Sequence, residues 1–397
     1  MAADTATPSA TLLGPDSDAT PTLSVVLPTM NEAEGIGECL GAIHDAISEL
    51  GVTAEIIVSD SSTDNTPDIA REHGATVVTP DKRGYGYAYR YAFEHARGEY
   101  VVMGDADTTY DFRELPQLFN RLTEEDADLV LGSRFAGDIK PGAMPALHQY
   151  LGNPALTAFL NRFYDAGVTD AHSGFRIIRR DVLESLALET DGMEFASEMI
   201  MAASAQGYTI TEVPITYHER VGEATLDSFR DGWEHLRFML VNAPGYLFSV
   251  PASILTVLGV LIMALAFFDV ELTVGGGPVW FGTRSMVAGS LLTIVGTQVG
   301  SLGVFSTLTT DPIRRPDDPP TEWILEHTTL ERGAGVGLLL FGSGLGYALW
   351  IVTRWLQAGY DALPALTHDI LAFTIVVLGI QILFGSFFIG SVRGDES

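Results

Sequence analysis

The sequence predicts two parts, an α/β domain with a mostly parallel sheet covered by helices on both faces, followed by an all-α domain of four transmembrane helices. Short apolar runs alternate with helical patterns over residues 22–228, which is typical of a parallel sheet. Each of the four later runs is uncharged and long enough to span a bilayer core of about 30 Å, so residues 245–397 are predicted to form a membrane domain. These runs lie at 246–268, 286–307, 333–353 and 370–392.

Periodicity defines the elements of the first part. Apolar runs bounded by turn residues predict strands at 23–27, 55–59 and 76–79 and a fourth strand from Val101. Helices are predicted between them, and the first carries Ile36, Leu40, Ile43 and Ile47 on one face. Asn31 is the expected N-cap of this helix.

Polar residues come directly after each of these four strands. Glu32 follows the first strand, Asp60 the second and Arg83 the third. Asp105 and Asp107 follow the fourth. Because ligands of open parallel sheets bind beyond the carboxyl ends of the strands, we expect these residues to share one crevice. The first turn lacks the GxGxxG pattern, so a dinucleotide site of the usual kind is not expected.

The Asp105-Ala106-Asp107 stretch predicts a divalent-cation site. Two carboxylates at the end of a buried strand repel each other and are costly to bury, and a cation would offset both effects. Their hard oxygen atoms suit Mg²⁺ or Mn²⁺ bridging to substrate phosphates. The alternative is a solvated strand end at which Asp107 opens a turn.

Charge composition limits the partners and the environment. The net charge is −29, and −23 of it lies in the first 243 residues, while lysine occurs only at Lys82 and Lys140. An acidic, lysine-poor domain is typical of proteins that work in high salt, where screening weakens repulsion. Without a basic patch, nucleic-acid binding is disfavoured. The single cysteine, Cys39, excludes an internal disulfide and a multi-cysteine metal site.

Two segments flank the α/β domain. Residues 1–21 are rich in Ala, Thr, Ser, Pro and Asp and lack a basic leader, so we expect a disordered tail and no signal peptide. Residues 229–244 mix aromatic, basic and apolar side chains directly before the first apolar run. This composition predicts an interfacial amphipathic helix with Trp233 and Phe238 at the headgroup level. A core helix of the first domain is the alternative.

Six ordered motifs between residues 23 and 240 resemble a known family. They are Pro28-Thr29-Met30-Asn31-Glu32, Val58 to Thr66, Gly104-Asp105-Ala106-Asp107, Gly132-Ser133-Arg134-Phe135, Asp170 to Arg176, and Glu212 to Tyr217. Together they resemble the family 2 glycosyltransferases, whose GT-A fold is Rossmann-like. The second half is similar to the dolichyl-phosphate mannose synthase and polyprenyl-phosphate glucosyltransferase branch. The resemblance therefore implies a GT-A fold for residues 22–228.

The resemblance also implies roles for individual residues. It assigns Asp105 and Asp107 to the metal and, with Arg134, to catalysis. It assigns the acceptor phosphate to Arg134, His172 and Arg176. It assigns the nucleotide sugar to Pro28, Asn31, Glu32, Asp60, Arg83, Asp105, Ala106, Asp107 and Arg220. From its place on a predicted helix, Glu198 is a candidate catalytic base, with an exposed helical carboxylate as the alternative.

The chain departs from this branch at three places. Thr108 and Thr109 stand where the branch often has Leu-Gln, whose Gln assists the metal, so Asp111 or water would supply that ligand. The segment after Arg220 lacks the Ser and Lys that are often found there. His148 is the nearest candidate for an arginine that often follows Gly-Ser-Arg. These changes concern acceptor recognition more than the fold.

The resemblance and the apolar runs together predict an integral membrane enzyme of the cell membrane with a cytoplasmic catalytic domain. It is expected to move one hexose, with inversion, from a nucleotide sugar such as UDP-glucose or GDP-mannose to a polyprenyl or dolichyl phosphate, with Mg²⁺ or Mn²⁺ as cofactor. Arg314, Arg315 and Arg332 favour an inside position for the loop between the second and third transmembrane helices.

Two alternatives remain at this point. A processive polysaccharide synthase would carry a Gln-x-x-Arg-Trp signature, which the sequence lacks. A catalytically silent first domain could instead regulate a lipid-handling membrane domain. The sequence identifies neither the sugar nor the length of the lipid, and it leaves a homo-oligomer open.

Overall fold

The computed structural model describes residues 11–222, 228–242, 244–274, 277–309, 323–324, 326–327, 329–360 and 365–393. The first ten residues of the predicted tail, the segment 223–227 after Arg220, and Arg314 and Arg315 of the predicted inner loop lie outside the described residues. The chain divides into two compact units, Met1–Met239 and Leu240–Ser397.

The first unit is built on a mixed eight-stranded sheet. Its spatial order is β1-β3-β2-β5-β7-β6-β8, with β4 paired to β3. The strands are β1 (Thr11–Leu12), β2 (Leu23–Thr29), β3 (Thr53–Asp60), β4 (Thr76–Val78), β5 (Tyr100–Met103), β6 (Leu129–Ile139), β7 (Arg176–Arg179) and β8 (Ile210–Tyr217).

Eight α-helices accompany this sheet among the described residues. They are α1 (Ile36–Leu50), α2 (Thr66–Glu72), α3 (Tyr85–Phe93), α4 (Leu115–Glu124), α5 (Asn153–Tyr164), α6 (Arg180–Ser185), α7 (Phe195–Ala205) and α8 (Ser228–Val241). A short 3₁₀ turn, Phe112–Glu114, precedes α4, and a π-helical turn, His148–Gly152, precedes α5.

Helix α1 illustrates how the sequence pattern produces packing. Its predicted apolar face is buried against the sheet, including Ile36, Leu40 and Ile43 at 0% exposure. The helix begins later than expected, with Gly35 at the N-cap position and no side-chain cap. Asn31, the predicted N-cap, lies before it in a left-handed conformation with φ of 61°. The helix ends at Gly51, whose φ of 65° suits a residue without a Cβ.

The strand directions place the loops that form the site. β2 pairs in parallel with both β3 and β5, so Thr29, Asp60 and Met103 end at one edge of the sheet. β7 runs antiparallel between β5 and β6, and its Arg176 pairs with both Met103 and Leu131. The segment before β7 therefore enters at the edge where β5 ends. The expected mostly parallel sheet is confirmed, with β7 as the reversed strand.

The predicted disordered tail is wrong for residues 11–21. Thr11–Leu12 form β1, which pairs in parallel with Thr53 and Ala54 at the start of β3. β4 pairs only with Ile57–Ser59 of β3. The backbone groups at the start of β3 are therefore available on that side to pair with β1. Arg97 also donates to the carbonyl oxygens of Gly14 and Ser17, at 3.2 and 2.6 Å.

Four long apolar helices lie in the described part of the second unit. They are α9 (Pro244–Phe267), α10 (Thr283–Thr309), α11 (Leu330–Gln357) and α12 (Leu366–Arg393), with a hairpin of β9 (Glu271–Val274) and β10 (Gly277–Trp280) after α9. All four are long and apolar enough to cross a membrane. They contain the four predicted apolar runs, except that the first run ends one residue beyond α9.

Candidate active site

Asp60 ends β3 and is held in a fixed orientation. Its Oδ1 accepts hydrogen bonds from Thr29 Oγ1 at 2.7 Å and from Ser62 Oγ at 2.6 Å. The residue is only 5% exposed. Because the neighbouring strand and its own loop both hold this carboxylate, its position is set by the sheet itself.

The loops after β2 and β3 are joined to each other. Asn31 N donates to Ser62 Oγ at 2.7 Å, and Thr63 N donates to Asn31 Oδ1 at 2.8 Å. The backbone of Glu32 donates to Thr66 Oγ1 at 3.0 Å. Pro28 sits within β2, opposite Ser59, and contributes to the strand that carries these loops.

An open cleft of about 470 Å³ lies beyond the ends of β3 and β4. Two predicted nucleotide-sugar residues, Asp60 and Arg83, line it. Arg83 is exposed, and two further cations, Arg71 and Lys82, belong to the same wall. The complete lining is Asp60, Ser61, Ser62, Pro67, Arg71, Thr79, Pro80, Asp81, Lys82 and Arg83.

Arg220 lies between two of the predicted site carboxylates. One of its terminal nitrogens contacts Glu32 Oε1, and the other lies 3.3 Å from Asp107 Oδ2. Burial raises the pKa of Glu32 to about 7, Arg220 partly opposes this, and Asp107, Asp105 and Asp64 raise it further. One guanidinium group thus lies among several carboxyl groups, so acidic groups outnumber basic ones at this site.

Asp105 and Asp107 have different hydrogen-bond partners. Asp105 Oδ1 accepts from the Tyr85 hydroxyl at 3.0 Å. Asp107 Oδ1 accepts from Thr109 N at 3.1 Å and Thr109 Oγ1 at 2.5 Å. Burial and then the charge of Asp107 raise the pKa of Asp105 above its usual range. Burial and the Asp105 charge also raise the pKa of Tyr85, so its hydroxyl keeps its proton.

These carboxylates fit a divalent cation. A Cβ added to Gly174 would lie 2.9 Å from Asp105 Oδ2, so only glycine leaves room beside that oxygen. The described residues contain no group of three or more His, Cys, Asp or Glu side chains placed to hold a metal. Asp111 instead caps the 3₁₀ turn and accepts from Arg113 N at 3.0 Å. Asp105 and Asp107 would therefore share the ion with phosphate oxygens and water.

Arg134 is bound by a buried carboxylate. Its Nε and Nη2 donate to the two oxygens of Asp170 at 2.6 and 2.7 Å, a bidentate pair. The two side chains are 7% and 0% exposed. The guanidinium also packs over the Tyr217 ring, 5.1 Å from its centroid. Asp170 engages Nε and Nη2 and not Nη1, so the predicted role of Arg134 at the acceptor phosphate stays a prediction.

Comparison with known proteins decides the family. The family model for glycosyl transferase family 2 matches residues 24–187, and the model for the family's C-terminal transmembrane region matches 304–393. The low-salt glycan biosynthesis hexosyltransferase of Haloferax volcanii is 53% identical over 381 residues, which are 96% of this chain and 91% of that protein. The chain belongs to glycosyltransferase family 2.

Two further proteins are similar over the catalytic part of this family 2 glycosyltransferase. A dolichyl-phosphate hexose transferase of Haloferax volcanii is 37% identical over 212 residues, which are 53% of this chain and 89% of that protein. A crystal structure of Mycobacterium tuberculosis glucosyl-3-phosphoglycerate synthase with Mn²⁺ and UDP has a TM-score of 0.45 at 24% identity. It covers 56% of this chain and 79% of that one. The first unit of the family 2 chain is a GT-A domain.

Arg176 is inaccessible in the GT-A domain of this glycosyltransferase. It is fully buried, and its three donor groups are taken by the carbonyl oxygens of Ser173 at 2.7 Å, Ala196 at 2.9 Å and Ala171 at 3.0 Å. The predicted acceptor-phosphate role is therefore wrong for Arg176. Its guanidinium instead ties the segment before β7 to the start of α7.

Glu198 is held by three hydrogen bonds. Its carboxylate accepts from Glu189 N at 2.9 Å, Thr190 N at 3.0 Å and Thr190 Oγ1 at 2.5 Å. At 5% exposure it is not an exposed helical carboxylate, so that expectation is wrong, while the catalytic-base role stays a prediction. Glu198 fixes the loop before α7 to the helix.

His172 belongs to a buried polar chain. Ser197 Oγ lies 3.3 Å from His172 Nε2 and 3.0 Å from His235 Nδ1. His172 Nδ1 is buried without a hydrogen-bond partner among the described residues. Burial lowers the pKa of His172, helped by His235, Arg134 and Arg176, and burial lowers the pKa of His235 to about 4. A neutral imidazole carries no charge, and the predicted acceptor-phosphate role of His172 stays a prediction.

Three contacts at the site were not predicted from the sequence. Tyr85 reaches Asp105, Thr109 holds Asp107, and Asp170 neutralises Arg134. Asp170 lies inside a quoted motif, but a spacing does not reveal which cation a carboxylate reaches. The sequence did contain a signal for Tyr85, because this large side chain stands between Gly84 and Gly86. Glycine on both sides indicates that the backbone there lies close to other parts of the chain.

Proposed function

We propose that this family 2 enzyme moves one hexose, with inversion, from a nucleotide sugar to a polyprenyl or dolichyl phosphate at the cytoplasmic membrane face. The observation that carries the proposal is the cluster of Glu32, Asp105, Asp107 and Arg220 at the carboxyl edge of the GT-A sheet. The names of two relatives, a hexosyltransferase of glycan biosynthesis and a dolichyl-phosphate hexose transferase, support the substrate classes.

The donor would bind along this edge. The cleft lined by Asp60 and Arg83 has room for the nucleoside, since it reaches a size found for small-molecule sites. Asp105 and Asp107 would hold Mg²⁺ or Mn²⁺ next to the donor diphosphate. Arg220 supplies a planar fork of donors suited to phosphate oxygens. A bound cation would stabilise the negative charge that develops on the departing nucleoside diphosphate.

The acceptor explains why no general base is needed. The second pKa of a phosphate monoester is about 6, so a lipid phosphate is already an anionic nucleophile at neutral pH. The enzyme then has to place this oxygen on the face of the sugar opposite the leaving group. The occupied state of Glu198, which accepts three hydrogen bonds, agrees with a mechanism that uses no protein base.

The second unit and α8 support a reaction at the membrane. Four described helices are long and apolar enough to cross a membrane, and the last two, α11 and α12, lie within residues 304–393, which match the family's C-terminal transmembrane region. Helix α8 has a buried side with His235 and Met239, while Trp233 is 57% exposed, which suits an amphipathic interfacial helix. Because nucleotide sugars are cytosolic, we place the GT-A domain on the cytoplasmic side.

A transfer assay tests the proposal. Membranes containing the full-length protein receive UDP-glucose or GDP-mannose, dolichyl phosphate and Mg²⁺ or Mn²⁺ at high salt, and the single-sugar lipid is measured. Asp107→Ala is expected to lower transfer by more than about 100-fold, because it removes half of the metal-holding pair. Asp111→Asn, a nearby acidic residue that caps a turn, is the control and should keep most of the activity.

Three results would contradict the proposal in different ways. Undiminished transfer by Asp107→Ala, or with a chelator present, would exclude the metal role. Long polymer in place of a single-sugar lipid would identify a processive synthase. No transfer from either donor by the unaltered protein would favour a silent GT-A domain that regulates the membrane helices.

A further inference from the structure

We propose that Tyr85 is a positioning residue for the divalent cation, because its hydroxyl holds Oδ1 of Asp105 and leaves Oδ2 as the oxygen offered to the metal. The inference rests on the proposed metal role of Asp105 and Asp107. It gives a function to a tyrosine that neither lines the nucleoside cleft nor belongs to the six motifs on which the resemblance rests.

Two tyrosines of α3 clamp the end of β5. Tyr85 donates to Asp105 Oδ1 at 3.0 Å, and Tyr89, one turn later, donates to the Gly104 carbonyl at 3.1 Å. Their rings meet edge to face with centroids 5.2 Å apart, and Tyr89 stacks on Phe195 at 5.6 Å. One hydroxyl thus holds the backbone before the metal aspartate, and the other holds its carboxylate.

The start of α3 is itself rigidly supported. Gly86 N donates to the Gly192 carbonyl at 3.2 Å, and a Cβ at Gly86 would lie 2.5 Å from the Thr190 carbonyl oxygen. The same loop is fixed by the three hydrogen bonds that Glu198 accepts from Glu189 and Thr190. Glu198 therefore supports the loop, the loop supports α3, and α3 presents Tyr85.

The two oxygens of Asp105 have distinct surroundings. Oδ1 carries the Tyr85 hydrogen bond, and Oδ2 lies beside Gly174, whose lack of a Cβ leaves room next to that oxygen. A carboxylate without a hydrogen-bond partner on Oδ1 is free to rotate, and it can offer either oxygen or both to the metal. Partners that hydrogen-bond a metal ligand orient it, and their loss typically weakens metal binding by about 10- to 100-fold.

Mn²⁺ binding provides the test. Free Mn²⁺ is titrated by electron paramagnetic resonance with the detergent-solubilised full-length protein in the presence of UDP or GDP. Tyr85→Phe should raise the dissociation constant of Mn²⁺ by about 10- to 100-fold, since the ring stays and only the hydroxyl is lost. In the transfer assay it should raise the Mn²⁺ concentration for half-maximal rate far more than it lowers the rate at saturating Mn²⁺.

Tyr87 of the same helix provides the matched control. Tyr87→Phe removes a hydroxyl that contacts the exposed Asp81, and it should leave the Mn²⁺ dissociation constant within about twofold, because this hydroxyl does not contact a metal ligand. Tyr89→Phe removes the bond to the Gly104 carbonyl and serves as the reference for the loss of stability in this helix. The thermal unfolding midpoint of each variant is measured in parallel.

The outcomes separate this inference from the proposed function. Unchanged Mn²⁺ binding by Tyr85→Phe overturns the positioning role and leaves the transferase proposal intact. Equal weakening by Tyr87→Phe, or weakening by Tyr85→Phe that accompanies a larger loss of thermal stability than in Tyr89→Phe, shows a structural role and also overturns it. Absence of Mn²⁺ binding by the unaltered protein overturns both.

Discussion

The pairing of Arg134 with Asp170 joins two motifs that are 36 positions apart in the sequence. Gly132 to Phe135 supplies the arginine from β6, and the segment before β7 supplies the carboxylate. Both side chains are nearly inaccessible, so each charge depends on the other for compensation. The two motifs are therefore one structural unit, and the arginine orders the loop that lies beside the Asp105 carboxylate.

Removing the carboxylate of this unit should strongly destabilise the GT-A domain. Asp170→Asn leaves the buried Arg134 charge without a counter-ion, which typically costs about 3–5 kcal/mol. Denaturant unfolding of the full-length protein in detergent measures the loss. Asp181→Asn, at an exposed pair with Arg179, is the matched control and should cost less than about 1 kcal/mol. Equal losses in both variants would contradict a buried, uncompensated charge.

Residue positions were easier to predict than residue partners. Glu32, Asp60, Asp105 and Asp107 were expected at one edge because the carboxyl ends of parallel strands meet there, and the β2, β3 and β5 pairings confirm the edge. Whether Arg134 is free depends on a contact between distant segments, which no local pattern encodes. The same applies to Glu198, whose three donors come from the preceding loop.

At the scale of elements, β7 is the feature that the sequence did not reveal. Its residues, Arg176 to Arg179, are mostly buried between β5 and β6. A strand that is buried on both faces reads as an apolar run in a parallel and in an antiparallel pairing alike. The sequence pattern therefore does not indicate that this strand is antiparallel. That reversal brings Ser173 and Gly174 to the end of β5, and it places Gly174 against Asp105.

The helices of the second unit pack through small and polar residues. Gln381 of α12 donates to Gln298 of α10 at 3.0 Å, and the Ser290 and Thr374 hydroxyls of the same helices lie 2.6 Å apart. Between apolar helices in lipid, such bonds and close backbone approach replace the hydrophobic effect as the source of association. The packing of these helices thus depends on individual contacts between particular residues.

One glycine contact of these helices yields a prediction. An added Cβ at Gly289 of α10 would lie 2.7 Å from the Gly259 carbonyl oxygen of α9, so Gly289→Ala should force the two helices apart and cost about 1–3 kcal/mol. Gly342→Ala in α11 is the control, because nothing lies within 4 Å of its added Cβ. Thermal unfolding in one detergent compares them. Equal midpoints for the two variants would contradict close packing at Gly289.

At the scale of the whole molecule, the net charge of −29 predicts a salt-dependent stability. Repulsion among carboxylates opposes the compact state, and the screening length falls from about 10 Å at 0.1 M to about 3 Å at 1 M salt. The calorimetric unfolding midpoint in detergent should therefore rise by several degrees between 0.1 and 1 M KCl, since each kcal/mol raises it by about 2–4 °C in a domain of this size. Screening is nearly complete at 1 M, so the gain should level off above that concentration. A midpoint that stays flat to 1 M and then rises steadily would instead identify a hydration effect of the salt.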